Sequence, residues 1–454
     1  MFEFGRELRR LLGGAPLAGG FQDGLTGGDP TLLELLDLRL LINEARAADV
    51  AAGRIGARDR PARLVHAAIT WREVARRSGD PVALRKAASA AEAACAGFVT
   101  AGRSAGVSRA KAEQGLCGML GADLFGDDGL NAAAERVLEG AVAGSGLGAA
   151  AGTAALAGLR GRMAMARGDS TAVEAAAAAF DAPLAALTAA ARAGGAARLA
   201  LVEHRLARAE MLALAGARLK DSDLVDRGAR EAGSVVASLD AAYEPLSHAR
   251  AATAHGTALA LKAELTGEIE PAADAVEILV KALEQVPPDH SPLDWAGIQA
   301  ALGQALIIVG EVSDCPRPFE QAVTCFERAA TVLKTMSALT LRARAASGRA
   351  HALGRQAEMT GDLAVLDIAV AAQKSELCAL RPASDPVAWA IAQLNLARLY
   401  EIRADITGRD DGGLAAASVA LATAFDVFAE QGMRSLTEAA AEGLSRLRGR
   451  EKSF

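Results

Sequence analysis

The side chains with the greatest capacity for chemistry in this sequence are its histidines and cysteines, and their spacing argues against a metal site. No two histidines stand four residues apart, the spacing of a helical zinc pair, and no Cys-x-x-Cys pair occurs. His248 and His255, seven residues apart, could share a helix face. We interpret the histidines as satisfied core or surface residues, and the five scattered cysteines as free thiols in a reducing compartment.

The sequence also offers little support for phosphate, nucleophile or cofactor chemistry. Residues 144–149 match a relaxed dinucleotide fingerprint, G-x-G-x-x-A, but that motif must follow a strand, whereas residues 130–142 have a helical pattern. No G-x-x-x-x-G-K-[ST] loop and no G-x-S-x-G elbow occurs. We therefore predict a non-enzymatic protein with no cofactor. An enzyme hidden in region 140–240 would need a cluster of polar residues that the sequence does not show.

Composition narrows the fold class before any element is placed. The 454 residues include 110 alanines; 51% of the chain is hydrophobic and only 4% is aromatic. This apolar fraction excludes a disordered chain, and the scarcity of strand-forming residues predicts an all-α fold. The net charge of −6 argues against a general nucleic-acid binder, and no helix-turn-helix module is recognisable. The excess of arginine (41) over lysine (8), with abundant Ala and Gly, is typical of GC-rich bacterial coding.

A recurring short motif that can end one helix and cap the next, which we call a punctuation mark, predicts how the helices are organised. A glycine followed by an acidic or short polar residue recurs at a mean interval of about 47 residues from position 79 to position 408. Such a glycine can end one helix in the left-handed conformation, and the next residue can cap the following helix. The marks stand at Gly79, Gly126, Gly168, Gly267, Gly310, Gly361 and Gly408, and Asp221 fills the one gap. They predict eight helical pairs.

The pairs predict a chain divided into five segments. We expect a short amphipathic helix at 1–12, a Gly-rich linker at 13–29, an N-terminal capping helix and connection at 30–63, helical repeats at 64–432, and a C-terminal capping helix with a basic tail at 433–454. The uncharged stretch 140–159 has the length of a membrane span but few large apolar residues. We interpret it as a Gly-rich break, at 143–148, between two soluble helices.

The repeats resemble the tetratricopeptide-repeat superfamily. The residues that carry the resemblance are Leu302, Gly303 and Leu306 followed by Ala322, Phe326 and Ala329, and then Leu396, Ala397 and Tyr400 followed by Ala420, Ala424 and Phe428. The resemblance implies a right-handed α-solenoid whose first helices line a concave groove, and a scaffold that binds a peptide or protein there. The period of about 47 residues departs from the family's 34 and leaves HEAT-like packing open.

Within that groove the resemblance places a partly basic surface. Aligning the pairs on Gly256, Gly303, Gly348 and Ala397 puts five residues at groove positions: Arg250, Gln304, Arg342, Arg349 and Arg398. Arg342 and Arg349 are seven apart and share one helix face, whereas Arg344 is predicted to point elsewhere. Guanidinium groups bind carboxylates bidentately, so the expected partner is an acidic peptide or protein. The alternative is a set of solvated arginines in an Arg-rich chain.

The N-terminal segment supports a second hypothesis. Phe4, Leu8, Leu11 and Leu12 form one apolar helix face, with arginines around it. A helix of about 12 residues is marginal alone, so it should dock onto the solenoid, a partner or an anionic membrane surface. We thus predict a cytoplasmic adaptor that binds its partner in the groove. The alternative is a peripheral membrane or polar-complex scaffold, recruited to the inner membrane through residues 1–12.

Overall fold

The structure is a computed structural model that describes residues 30–54, 59–192, 194–380, 382–383, 386–431 and 434–450. All regular secondary structure in these ranges is helical, which confirms the predicted all-α fold. The amphipathic segment 1–12, with Phe4, Leu8, Leu11 and Leu12, and the linker 13–29 lie outside the described residues.

The described helices follow one another with short connections. A 3₁₀ helix, Pro30–Leu35, comes first. The α-helices are α1 (Leu38–Gly53), α2 (Arg60–Ser78), α3 (Pro81–Thr100), α4 (Ser104–Phe125), α5 (Asp128–Val142), α6 (Gly146–Ala166), α7 (Ser170–Ala179), α8 (Asp181–Ala191), α9 (Gly195–Leu219), α10 (Ser222–Ser238), α11 (Pro245–Thr266), α12 (Ile269–Gln285), α13 (Pro292–Ser313), α14 (Arg317–Leu333), α15 (Leu339–Thr360), α16 (Leu363–Ala379), α17 (Pro386–Thr407), α18 (Gly413–Glu430) and α19 (Arg434–Arg450).

These helices form the predicted eight pairs, in which each first helix packs against the second helix that follows it. The first helices are α2, α4, α6, α9, α11, α13, α15 and α17, and in the third pair the second helix is broken into α7 and α8 at Phe180. Helix α1 precedes the pairs and α19 packs on α18 after them. The chain also breaks between α5 and α6, at 143–145, where the Gly-rich stretch predicted a break.

Most of the predicted punctuation marks end and start helices as their chemistry requires. Gly79 adopts a left-handed conformation with φ of 69° directly after α2, and the carboxylate of Asp80 then accepts a hydrogen bond from the backbone N–H of Val82 in α3. The mark at Gly310 is wrong, because α13 continues to Ser313 and Asp314 takes the left-handed conformation instead, with φ of 49°. Gly310 is needed for packing: a Cβ there would stand 2.7 Å from the ring of Phe319.

Alanine and glycine let the helices approach closely, so a few aromatic rings are enough to fill the core. Phe326 of α14 is only 1% exposed and packs against two glycines, Gly303 of α13 and Gly348 of α15. A Cβ would lie 2.7 Å from its ring at Gly303 and 2.4 Å at Gly348. The same ring therefore joins the two helices of one pair to the first helix of the next.

The first two pairs also pack against pairs that come much later in the chain. Leu124 of α4 belongs to the same buried cluster as the apolar residues of α11, α13 and α14. Next to Gly79, which follows α2, lie Leu293 of α13 and Ala338, the residue before α15. Residues more than 200 positions apart in the chain are thus neighbours across the interior.

Within the described part of the chain, three helical stretches are long and apolar enough to cross a membrane by length and composition. They are Ser170–Ala191, Pro292–Ser313 and Gly413–Glu430. In Pro292–Ser313, 67% of the apolar window is buried inside the protein, where it forms part of the repeat core.

Candidate partner-binding surface

The inner side of the superhelix contains two groups of charged side chains, of which the first is buried between distant helices. Arg72 of α2 is 8% exposed and binds two carboxylates, Glu113 of α4 and Glu203 of α9. Its Nη1 lies 2.8 Å from Glu203 Oε1, and Nη1 of Arg76 lies 3.2 Å from the same oxygen. We call Arg72, Glu73, Arg76, Arg77, Glu113, Glu203, Arg250 and Asp294 the interior network.

The other half of the interior network joins α2 to α11 and α13. Arg250 Nη2 lies 3.0 Å from Oε1 of Glu73 and 2.7 Å from Oδ2 of Asp294. Glu73 also accepts a hydrogen bond from Nε of Arg77, at 2.8 Å. Arg77 is fully buried and donates as well to the carbonyl oxygens of Leu36 and Leu33. Because Arg72, Arg77 and Arg250 each have partners on more than one element, the network fixes α2 in place.

A carboxylate next to this network caps a helix that lies far away in the chain. Glu34, in the 3₁₀ helix, accepts hydrogen bonds from the backbone N–H groups of Leu246 and Ser247 at 3.1 and 2.8 Å, and from the Ser247 hydroxyl. These are first-turn amides of α11, whose own N-cap, Glu244, makes no side-chain cap hydrogen bond. Glu34 therefore caps the N-terminus of α11 from 212 positions away, a role that an adjacent Asp or Ser has at other helices.

Burial and the neighbouring arginines act in opposite directions on these carboxylates. Burial raises the pKa of Glu203, but the attraction of Arg72 and Arg76 outweighs it and lowers the pKa to about 2. Burial likewise opposes ionisation of Glu73, and Arg250 and Arg77 still hold its pKa far below its usual range. For Glu113 burial prevails over Arg72 and raises the pKa. Glu73 and Glu203, each with two cationic partners, are thus held ionised, whereas burial dominates at Glu113, whose described ion pair is with Arg72 alone.

Small cavities adjoin the interior network. One of about 30 Å³ is lined by Glu34, Glu73 and Arg250, and another of about 70 Å³ by Glu113, Glu203 and His204. His204 is 2% exposed, and its Nε2 has no hydrogen-bond partner in the protein. Burial lowers the pKa of this imidazole, so it is neutral at pH 7. Cavities of this size hold a few water molecules, which can satisfy the Nε2 atom.

The second charged group is a row of side chains that runs from one first helix to the next in the C-terminal half. Its members are Glu311 of α13; His351, Arg355 and Glu358 of α15; Arg398 and Glu401 of α17; and Arg446 of α19. Representative spacings are 3.2 Å from Arg355 Nε to Glu311 Oε1 and 3.4 Å from Arg398 Nη2 to Glu358 Oε1. Most of this charged row remains accessible to solvent, with the His351 side chain 46% and the Arg398 side chain 42% exposed.

The start of α15 shows that the charged row faces the interior. Thr340 donates a hydrogen bond to the carbonyl oxygen of Asp123 in α4, and the charge of Arg344 interacts with Glu210 of α9. His351 is seven residues beyond Arg344, two helical turns along the same face. Because α4 and α9 belong to the second and fourth pairs, this face of α15 is directed across the superhelix. Desolvation by the surrounding protein lowers the pKa of Arg344, although part of this residue still contacts solvent.

The five predicted groove residues do not meet in one cluster. Arg250 belongs to the buried interior network, and Arg398 lies in the charged row. Gln304 is half-buried on α13. Arg349 pairs with Glu327 of α14 at 2.9 Å, and Arg342 interacts electrostatically with Glu376 of α16. Their assignment to partner binding stays a prediction.

The helix register that was predicted for α15 needs correction. The sequence pattern placed Arg342 and Arg349 on the inner face and directed Arg344 away, but the contacts with α14, α16 and α9 show the reverse. The reason is that Gly348, which set the register, packs against Phe326 of α14. The adjacent position 349, about 100° further round the helix, therefore also faces the second layer of helices.

Sequence analysis overlooked most of the interior network and the charged row. Glu113 and Glu203 have their partners on other helices, so no local pattern marks them. One local signal was available: the run Arg72, Glu73, Arg76 and Arg77 places four charges on adjacent turns of α2. Among the residues that the structure describes, no group of three or more His, Cys, Asp or Glu side chains could hold a metal ion.

Comparison with known proteins adds little to these observations. No family model and no curated protein sequence matches the chain. Among solved structures, a Rap protein complexed with competence and sporulation factor is 12% identical, with a TM-score of 0.42, and the alignment covers 87% of this chain and 98% of that one. A circular tandem repeat protein is 16% identical, with a TM-score of 0.24, covering 90% and 87%. At these scores neither likeness carries a functional argument. The paired helices themselves are consistent with the tetratricopeptide-like resemblance of the sequence.

Proposed function

We propose that the protein is a non-enzymatic scaffold that binds a peptide or protein on the inner face of its helical repeats. The observation that carries this proposal is the charged row, which spans α13, α15, α17 and α19 and remains largely accessible to solvent. Charged side chains on successive helices can contact successive residues of an extended ligand. A cytoplasmic location is part of the proposal.

The row contains both signs of charge, which defines the expected ligand more narrowly than an acidic peptide. Arg398 is linked at 3.4 and 3.6 Å to Glu358 and Glu401, so its guanidinium is only loosely engaged. A ligand carboxylate can replace one of these long contacts with a bidentate one. We therefore expect a ligand with acidic groups that engage Arg344 and Arg398, and with a polar or basic residue near Glu311.

Charge reversal on the inner face tests the proposal. The Arg344→Glu and Arg398→Glu variants, each tagged and expressed in the native source, should lose a co-purifying partner by about tenfold or more, because each replaces an attraction by a repulsion. The matched control is Arg349→Glu, which reverses an arginine that faces α14. Quantitative mass spectrometry of the eluates measures the recovery.

The same experiment separates the proposal from its rival. Equal partner recovery from all three variants would remove the support for the inner face. If recovery falls only when residues 1–28 are deleted, function moves to the N-terminal segment, as the membrane or polar-complex alternative expects. Circular dichroism of each variant confirms that the helices are retained.

A further inference from the structure

The first helical pair has two roles in the packing. As a repeat, α2 packs against α3, its partner in the pair. In addition, its charged side lies against the fourth and fifth pairs, through Glu203 of α9 and Arg250 of α11, and Gly79 at its end packs against Leu293 of α13 in the sixth pair. We call residues 30–125 the N-terminal unit and residues 195–360 the receiving limb. The N-terminal unit thus covers part of the surface on which a scaffold of this kind would bind a ligand.

Ion pairs across this contact suit an interface that opens. Two carboxylates carry the crossing pairs: Glu203, which binds Arg72 and Arg76, and Glu73, which binds Arg250. On separation these groups would be hydrated, which offsets part of the cost of exposing the apolar contacts of Leu124 and Leu293 in the same interface. The cavities of about 30 and 70 Å³ show that the contact is also incompletely packed.

One arginine on each side would keep a carboxylate partner after separation. Arg72 retains Glu113, which lies within the N-terminal unit, and Arg250 retains Asp294, which lies within the receiving limb. The two parts are joined through α5–α8, where the chain breaks at 143–145 and again at Phe180. Opening therefore leaves Arg72 and Arg250 paired, whereas Arg76, whose described carboxylate partner is Glu203 and whose side chain is already 31% exposed, would be hydrated. The connecting helices contain breaks that can act as hinges.

We propose that the N-terminal unit occupies part of the inner face, where the crossing ion pairs of Glu73 and Glu203 hold it. Release of the N-terminal unit uncovers the receiving limb for an external ligand. The last step rests on the proposed function, whereas the opening itself does not. The ligand of the uncovered surface must satisfy Glu203 and Arg250 as α2 does. A helix that carries both arginine and glutamate has that chemistry.

The double variant Glu73→Gln/Glu203→Gln tests the release, because it neutralises both crossing carboxylates with little change in shape. Hydrogen exchange of the full-length protein is measured at Leu246 and Ser247, whose amides are bonded to Glu34 of the N-terminal unit. Exchange there should accelerate about tenfold or more, the factor expected from losing a charge-assisted hydrogen bond. Small-angle X-ray scattering should show a larger maximum dimension.

The matched control is Glu135→Gln/Glu139→Gln, which neutralises two carboxylates that bind Arg160 on the outside. It should leave both measurements unchanged. If the double variant does not fold, Glu203→Gln alone should accelerate exchange at the same two amides by a smaller factor. Wild-type exchange in a folded variant, or acceleration spread evenly over all helices, would overturn the proposal.

Partner recovery then distinguishes the two proposals. Greater recovery of the partner by Glu73→Gln/Glu203→Gln than by wild type supports the link between opening and binding. Opening without any change in recovery of a partner that binds wild type overturns that link. Opening in a protein from which no partner is recovered, with or without the substitutions, contradicts the proposed function and leaves the opening supported.

Discussion

Replacing Arg72 by methionine is the sharpest test of the interior network. Arg72 is the only cationic partner of Glu113 in the ion pairs described, and it shares Glu203 with Arg76. Its side chain is 10% exposed, so the substitution leaves two carboxylates facing each other in a largely buried site. Removing one partner of a buried ion pair costs about 3–5 kcal/mol of unfolding free energy. We expect a loss in that range at neutral pH, measured by urea denaturation followed by circular dichroism.

The pH dependence of this loss follows from the carboxylates. Without Arg72, the folded-state pKa values of Glu113 and Glu203 should both rise above the ordinary value of 4.5. Such a group destabilises the folded state when ionised, and the penalty disappears below its unfolded pKa. The loss should therefore be larger at about pH 8 than at about pH 5. Wild-type Glu203 behaves oppositely: its stabilisation is present above about pH 4.5 and disappears as pH falls through about 2.

Arg160→Met is the matched control, since Arg160 also binds two glutamates but its side chain is 51% exposed. A solvent-exposed ion pair contributes only about 0–1 kcal/mol, so Arg160→Met should lower the unfolding free energy by less than Arg72→Met does. Adding Glu113→Gln and Glu203→Gln to Arg72→Met should recover most of the lost stability. An Arg72→Met penalty no larger than that of Arg160→Met, or equal at both pH values, would refute the reasoning.

Two further predictions concern the repeat itself. Gly348→Ala should lower the unfolding free energy by about 1–3 kcal/mol, because its Cβ would stand 2.4 Å from the ring of Phe326. Gly297→Ala, in a helix position with no atom within 4 Å, should be neutral or stabilising by up to about 1 kcal/mol, and equal melting temperatures for the two variants would contradict the packing argument. Asp362→Ala should cost about 1 kcal/mol through loss of the 2.8 Å cap to the Ala364 N–H, whereas Asp362→Asn should retain most of the stability in chemical denaturation.

The helix ends, caps and pairs that the sequence predicted correctly depend on residues close together in the chain. A glycine such as Gly79 and the Asp80 that follows it end one helix and cap the next, and both effects act over a few positions. The eight pairs follow from repeating that signal. The same logic located the break at 143–145, where glycines interrupt the helical pattern.

The features that the sequence could not predict, the distant cap of α11 and the inner face of α15, depend on contacts between elements that are far apart in the chain. The cap that Glu34 supplies to α11 spans 212 positions, and no local pattern marks it. The inner face of α15 was misassigned because Gly348 serves contact with Phe326 rather than the groove. A small residue in a repeat identifies a close approach, but only the three-dimensional packing tells which neighbour approaches.

The composition itself explains why the interior is joined by charges. Alanine side chains meet distant repeats only at the closest approaches, such as Ala338 beside Gly79, and with only 4% of the chain aromatic there are few large rings to fill the gap elsewhere. Arginine and glutamate are long enough to bridge that gap, as between Arg72 and Glu203. Once enclosed, such groups must be paired, because an unpaired buried charge is costly. An Arg-rich, aromatic-poor repeat protein is therefore expected to add ion pairs to the apolar contacts between its distant repeats, as Arg72 and Glu203 do beside the contacts of Leu124 and Leu293.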